Sequence, residues 1–343
     1  MSNLDLTALE GWLAEKLPDQ SGLTAEPITG GQSNPTWFVT WGDRRLVLRK
    51  KPDGPILPGA HAVEREFRVL TALEHSNVPV PKALWLEEDD SIIGTPFYVM
   101  DRLDGRVISD CTLPDISPQD RHEMYLDMAR TMARMHAVRP DEVGIGDYGR
   151  PGNYFERQIG RWSKQYAQST GPRIPALDML VEWLPDNLPE DDGGVSIAHG
   201  DFRLGNMMFH PTEPRIIAVL DWELSTLGHP LADLGFCVMP WHTEPDEYGG
   251  IKGTPWENSG IPTLEAFVAE YFAHAVPTSA LRSFHLAFAL FRFAVIFVGI
   301  ADRVRAGNAA SDEAANLAPL AARFALRAQE IAEQGDRTWG GTL

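Results

Sequence analysis

The stretch His199-Gly200-Asp201-Phe202-Arg203-Leu204-Gly205-Asn206, followed by Ile217-Ala218-Val219-Leu220-Asp221-Trp222, constrains this chain more than any other. The step from Asp201 to Asn206 suits a short loop, and the apolar run Ile216 to Leu220 reads as a buried strand that delivers Asp221 at its end. A loop and a strand end would then carry three hard oxygen donors to one place. Mg²⁺ prefers carboxylate and amide oxygens, and a carboxylate beside a hydroxyl is a competent general base. In that reading Asp201 accepts or orients the proton of an attacking hydroxyl, while Asn206 and Asp221 hold the magnesium that neutralises a transferring phosphate. Any strand can end in an acid; the second Asp behind His-Gly-Asp and its spaced Asn gives the pattern its meaning.

The flanks say what scaffold carries the loop. Leu6, Leu9, Trp12, Leu13 and Leu17 recur at helical spacing and predict a helix over residues 5–17. Glu26 to Thr29, Thr36 to Trp41 and Arg45 to Arg49 are short strand-like runs separated by Gly30-Gly31 and Gly42-Asp43, the signature of an antiparallel meander. The Gly-Gly-Gln-Ser-Asn turn could offer N–H groups and hydroxyls to phosphate oxygens, although a ligand-free hairpin is the commoner meaning of such a turn. Helical spacing returns over 62–73 and dominates from Ser117 onward, at 118–137, 154–166, 174–184 and 230–238, with the methionines of 118–137 read as core. Strands followed by helices make an α+β chain. At 343 residues it exceeds what one core encloses, so two lobes are expected, 1-103 and 104-343.

With these pieces in order, the chain resembles the aminoglycoside phosphotransferase family, relatives of choline kinases with a protein-kinase-like fold. The strings Gly30-Gly31-Gln32-Ser33-Asn34-Pro35-Thr36, Leu46-Val47-Leu48-Arg49-Lys50-Lys51-Pro52 and Leu220-Asp221-Trp222-Glu223 are most similar to the branch linked to acyl-CoA dehydrogenases. The resemblance covers about residues 28–236 and weakens in the helical C-terminal part. It implies a two-lobed fold with an antiparallel-sheet N-lobe and a mainly helical C-lobe, ATP and Mg²⁺ as cofactors, and a small-molecule hydroxyl as acceptor. It also implies roles. Gly31, Ser33 and Asn34 would bind the nucleotide through the glycine-rich turn. Arg49 stands where a protein kinase has its strand-three lysine, a departure that its phosphate-matching fork tolerates; Lys50 is the alternative should the register slip by one. Glu66, in preference to Glu64, would pair with that cation, and main-chain groups at Asp101 and Leu103 would read the adenine edge. His199 would orient the catalytic loop and Asp233 support it. By composition, Trp241, His242 and Trp256 in the Pro- and Gly-rich stretch 240–262 read as a mobile substrate-lining loop, although exposed loop aromatics can also merely cap a core.

Composition then trims the partners. Cys111 and Cys237 are the only cysteines, too few and too far apart for a disulfide framework, and the chain does not open with a basic region before an apolar one, so a reducing cytoplasm is expected. The apolar run 284–301 is interrupted by His285 and Arg292 and reads as a core helix rather than a bilayer span. Against 30 basic residues stand 48 acidic ones, and a net charge of −18 disfavours nucleic acid and anionic membrane as partners. The acceptor stays open between a hydroxyacyl-type metabolite, which is preferred, and an aminoglycoside-like compound. A nucleotide-binding pseudokinase without turnover is the alternative from another class, and oligomeric state is not legible.

Overall fold

The computed structural model describes residues 4–28, 34–54, 61–150, 152–307 and 317–341, so Gly31 and Ser33 of the glycine-rich turn lie outside the described residues. The chain is α+β, as expected, and divides into two compact units: Met1–Gly105 with Ile217–Ser225, and Arg106–Ile216 with Thr226–Leu343. The expected split at 103 and 104 did not include the return of residues 217–225 to the first unit. Hydrogen bonding explains that return: the Val219 N–H donates to the Pro79 carbonyl at 2.8 Å, and Arg65 donates to the Ser225 carbonyl at 3.3 Å.

In the first unit, helix α1 (Leu6–Lys16) precedes β1 (Leu23–Pro27), β2 (Thr36–Trp41) and β3 (Arg44–Lys50); α2 (Val63–Leu73), β4 (Ala83–Glu87) and β5 (Phe97–Asp101) follow. The five strands form one antiparallel sheet in the order β1-β2-β3-β5-β4. The β2–β3 hairpin closes through Gly42-Asp43 with Gly42 at φ 58°, where a side chain would strike Gln20. Trp37, Val39, Trp41, Leu46, Leu48, Phe97 and Val99 share one face and bury it against Leu9, Trp12 and Leu13 of α1. Each large side chain so buried is worth about 1.5–3 kcal/mol. Because strand side chains alternate, Arg49 and its cross-strand partner Tyr98 point to the opposite face, where α2 lies. Lys50 shares the core face and is 1% exposed, its Nζ bonded to Asp53 Oδ1 at 2.9 Å and to the Ile93 carbonyl at 3.3 Å.

The second unit is mainly helical: α3 (Pro118–Ala137), α4 (Tyr154–Ala167), α5 (Pro175–Asp186), α6 (Pro230–Cys237), α7 (Leu264–His274), α8 (Ser283–Arg305) and α9 (Leu320–Glu333). Ser117 caps α3 by accepting from the Asp120 N–H at 3.1 Å, and Met124, Met128, Met132 and Met135 are core residues. Helix α8 is long and apolar enough to cross a membrane, but most of its apolar stretch is buried within this unit, packed on α4, α6 and α9. Short strands frame the loop of interest. β7 (Ser196–Ala198) pairs antiparallel with β10 (Thr226–Gly228), and β6 (Arg106–Val107) with β8 (Met207–Phe209), so residues 199–206 run between the inner strands β7 and β8. Strand β9 (Ile216–Val219) then carries the chain to Asp221.

Candidate active site

In the first unit, three carboxylates surround Arg49. Its Nε stands 2.9 Å from Glu66 Oε2, and a terminal nitrogen lies 2.6 Å from Asp221 Oδ1 and 3.8 Å from Glu223 Oε2. Glu66 is 1% exposed and also accepts from Asn34 Nδ2 at 2.5 Å and from the Tyr98 hydroxyl at 3.1 Å. Burial pushes the Glu66 carboxyl up to about 7 against the pull of Arg49; burial also opposes the Arg49 charge, but Glu66 and the neighbouring acids more than restore it. Asp221 reaches Arg49 from a left-handed backbone at φ 63°, a conformation rarely adopted by residues with a side chain and therefore held by its surroundings. Glu64 pairs instead with Lys51 at 2.8 Å. Asn34 is 6% exposed, and its side chain bonds Glu66 and lies 3.1 Å from His61 Nδ1. The Asp101 N–H is taken by the Lys82 carbonyl at 2.9 Å and its carboxylate by Arg44 at 3.2 Å, whereas the Leu103 N–H has no acceptor among the described residues.

In the second unit, the main chain of residues 199–206 is pinned. Asp233, in the first turn of α6, accepts from the His199 N–H at 2.6 Å and from the Gly200 N–H at 2.9 Å. Burial works against its charge, yet His136, His199 and the Gly200 N–H hold Asp233 below the usual carboxylate range. His136 stands 3.5 Å from Asp233 and 2.8 Å from the Tyr271 hydroxyl, and buried Arg292 donates to the Gly200 carbonyl at 2.6 Å. Gly200 sits at φ 82°. His199 is fully buried, and its Nδ1 accepts from the Asp201 N–H at 3.2 Å, which makes it a loop brace. Asn206 Nδ2 donates to the Asp201 carbonyl at 2.9 Å and to Asp201 Oδ2 at 2.8 Å, with Arg203 Nε 3.4 Å from the same oxygen. The Asp201 carboxylate is thus aimed by two donors, and the Asn206 amide oxygen is left without a protein partner among the described residues.

Beside this loop lies a mainly apolar pocket lined by Tyr125, Met128, Phe236, Trp241, Phe267 and Phe293, with Arg203 and Gly205 of the loop also in its lining. Trp241 was expected in a mobile loop; it is 9% exposed and donates to the Pro262 carbonyl at 3.1 Å, so it is wall. Burial pulls His242 down to about 4, a neutral packed imidazole. Tyr98, His136 and Arg292 are the supporting residues that sequence reasoning missed, and Glu223 was quoted in a motif but given no role. Among the described residues no group of three or more His, Cys, Asp or Glu side chains is arranged for a metal. Asn206 in the second unit and Asp221 in the first each carry an oxygen donor of the type a hard cation prefers.

The sheet with its buried Arg–Glu pair and the braced Asp–Asn loop define a kinase-like phosphotransferase. The GDP complex of aminoglycoside 2′-phosphotransferase-IIIa has the same fold, with a TM-score of 0.62 at 15% identity over 96% of this chain and 99% of that one. A Ralstonia eutropha JMP134 protein, provisionally assigned as an aminoglycoside phosphotransferase, superposes with a TM-score of 0.87 at 44% identity over 97% of this chain and 99% of that one. The profile of the phosphotransferase enzyme family matches residues 24–280, and the chain belongs to that family. It is also 40% identical to human acyl-CoA dehydrogenase family member 11 over 330 residues, 95% of this chain and 41% of that protein. Mouse acyl-CoA dehydrogenase family member 10 is 40% identical over 306 residues, 88% of this chain and 28% of that protein. The chain therefore spans less than half the length of these relatives.

Proposed function

We propose that this protein transfers the γ-phosphate of ATP to a hydroxyl of a small molecule with Mg²⁺ bound. The observation that carries the reading is the Asp201 carboxylate, held at one oxygen by Asn206 and Arg203 on a loop clamped by Asp233. That carboxylate orients the acceptor hydroxyl and takes its proton as the oxygen attacks. Asn206 and Asp221 would hold the magnesium, which would supply charge neutralisation on the transferring phosphate. Arg49, kept in place by Glu66 and Tyr98, contacts phosphate oxygens, and the Leu103 N–H suits an adenine edge. The pocket beside Arg203 and Gly205 is apolar, which favours a hydroxyacyl-type acceptor over a polycationic aminoglycoside. Two buried free cysteines suit a reducing cytoplasm.

ADP release across a panel of hydroxylated metabolites, with Mg²⁺ omitted as control, tests this reading. Asp201→Ala should lower turnover by about 10² to 10⁴, the usual worth of a positioned base. Full turnover in that variant would refute the assignment, and ATP binding without any transfer would make the protein a pseudokinase.

A further inference from the structure

The apolar pocket has one wall built differently from the rest. Glu247 and Tyr248 line it from a tight loop in which Tyr248 has φ 67° and Gly249 φ 94°. A tyrosine in the left-handed region is costly and persists only when neighbours fix it, whereas the following glycine adopts its positive φ freely. Helix α9 supplies that fixation. Arg323 Nε donates to Glu247 Oε1 at 2.8 Å and Arg327 Nε to Glu247 Oε2 at 3.0 Å, while Arg327 also reaches Glu244 at 2.8 Å and Arg323 reaches Asp246 at 2.7 Å. Exposed ion pairs contribute little, but the Glu247 side chain is 2% exposed, and one oxygen also accepts from the Glu244 N–H at 2.8 Å. A buried carboxylate shared by two guanidinium forks holds the loop in a single geometry.

The purpose of that geometry is visible in what Tyr248 touches. Its ring packs edge-on against Phe293 at 5.2 Å and Phe297 at 5.7 Å, and the Arg203 guanidinium lies 5.2 Å from its centre. Arg203 in turn stands beside Asp201. Tyr248 thus touches both the apolar pocket and the residue next to the proposed base, and it is 46% exposed, open to contact with an entering molecule. We propose that Tyr248 sets which acceptors the pocket admits, by packing on their apolar portion, and that Arg323 and Arg327 are positioning residues for it through Glu247. This rests on the pocket being the acceptor site.

The test uses the full chain and a straight-chain hydroxy-acid series of increasing length, comparing Tyr248→Ala, Tyr248→Phe and the double variant Arg323→Ala/Arg327→Ala. Each methylene that packs on the ring is worth about fourfold in affinity, so Tyr248→Ala should raise KM about tenfold for the longest acceptors and leave kcat and the KM for ATP unchanged. Tyr248→Phe should retain the native length dependence. The double variant should reproduce the KM pattern and speed amide exchange at residues 244–250. An unchanged length dependence in Tyr248→Ala overturns the proposal, as does a double variant that loses thermal stability with KM untouched, the result of a mere staple. Should the native protein phosphorylate no hydroxy acid, the hydroxyacyl preference fails by itself. The pocket is then decided by a fluorescent fatty acid: binding about tenfold weaker in Tyr248→Ala supports the role of Tyr248, and equal binding refutes it.

Discussion

The surroundings of Arg49 and the loop around Asp201 solve opposite problems with opposite materials. Arg49 is placed by charge: Glu66, Asp221 and Glu223 converge on one guanidinium, with a tyrosine hydroxyl and an asparagine amide holding Glu66. The loop is placed by its own backbone, whose N–H and carbonyl groups at residues 199 and 200 are gripped by Asp233 and Arg292. If Arg49 takes a phosphate and Asp201 serves as the base, as proposed, the first needs ion pairs that it can exchange and the second a main chain that stays fixed.

Disturbing the backbone grip should have the largest effect. Asp233→Asn exchanges an acceptor for a donor opposite buried N–H groups, and stability should fall by about 3 kcal/mol, read as a lower urea midpoint. Next comes acid. His285, whose Nδ1 accepts from the Arg282 N–H at the start of α8, is held down to about 3 from an ordinary 6.5, chiefly by burial and then by His229. The unfolded chain therefore binds a proton that the folded chain refuses, and stability present above pH 6.5 is lost as pH falls toward 3, by about 2 kcal/mol at pH 5. His285→Asn keeps an acceptor and should flatten that slope in denaturation curves between pH 6.5 and 5; an unaltered slope would remove this helix start from the account. The smallest effect is expected at Arg49. Arg49→Lys keeps the charge but loses the fork that spans Glu66 and Asp221, so ATP should bind about tenfold more weakly by calorimetry with folding stability nearly native.

How far these regions could be read from the sequence follows the same division. The meander was legible because alternation and Gly42-Asp43 are local signals, and register followed from packing one face. Register also separated Arg49 from Lys50: with Leu46 and Leu48 facing the core, Lys50 must share their side. Glu66 was reachable from helical spacing. Tyr98, His136 and Arg292 were not, because each acts on a partner 32 to 97 residues away and nothing local marks them as anything but core. Asn34 was assigned to the nucleotide because its turn is rich in Gly and Ser; the bond of its side chain to Glu66, 32 residues away, carries no local signal.

Residues 217–225 return to the first unit after the chain has left it at Gly105. On a ribosome, the N-terminal sheet therefore emerges well before the acid that faces its arginine. A fragment cut at residue 105 would carry Arg49 and Glu66 but lack Asp221 and Glu223, so nucleotide contacts studied on such a fragment would be those of an incomplete charge cluster. The discontinuity also makes the order of synthesis a check on assembly: Arg49 acquires its full set of counter-charges only once residues 199–206 have already been made.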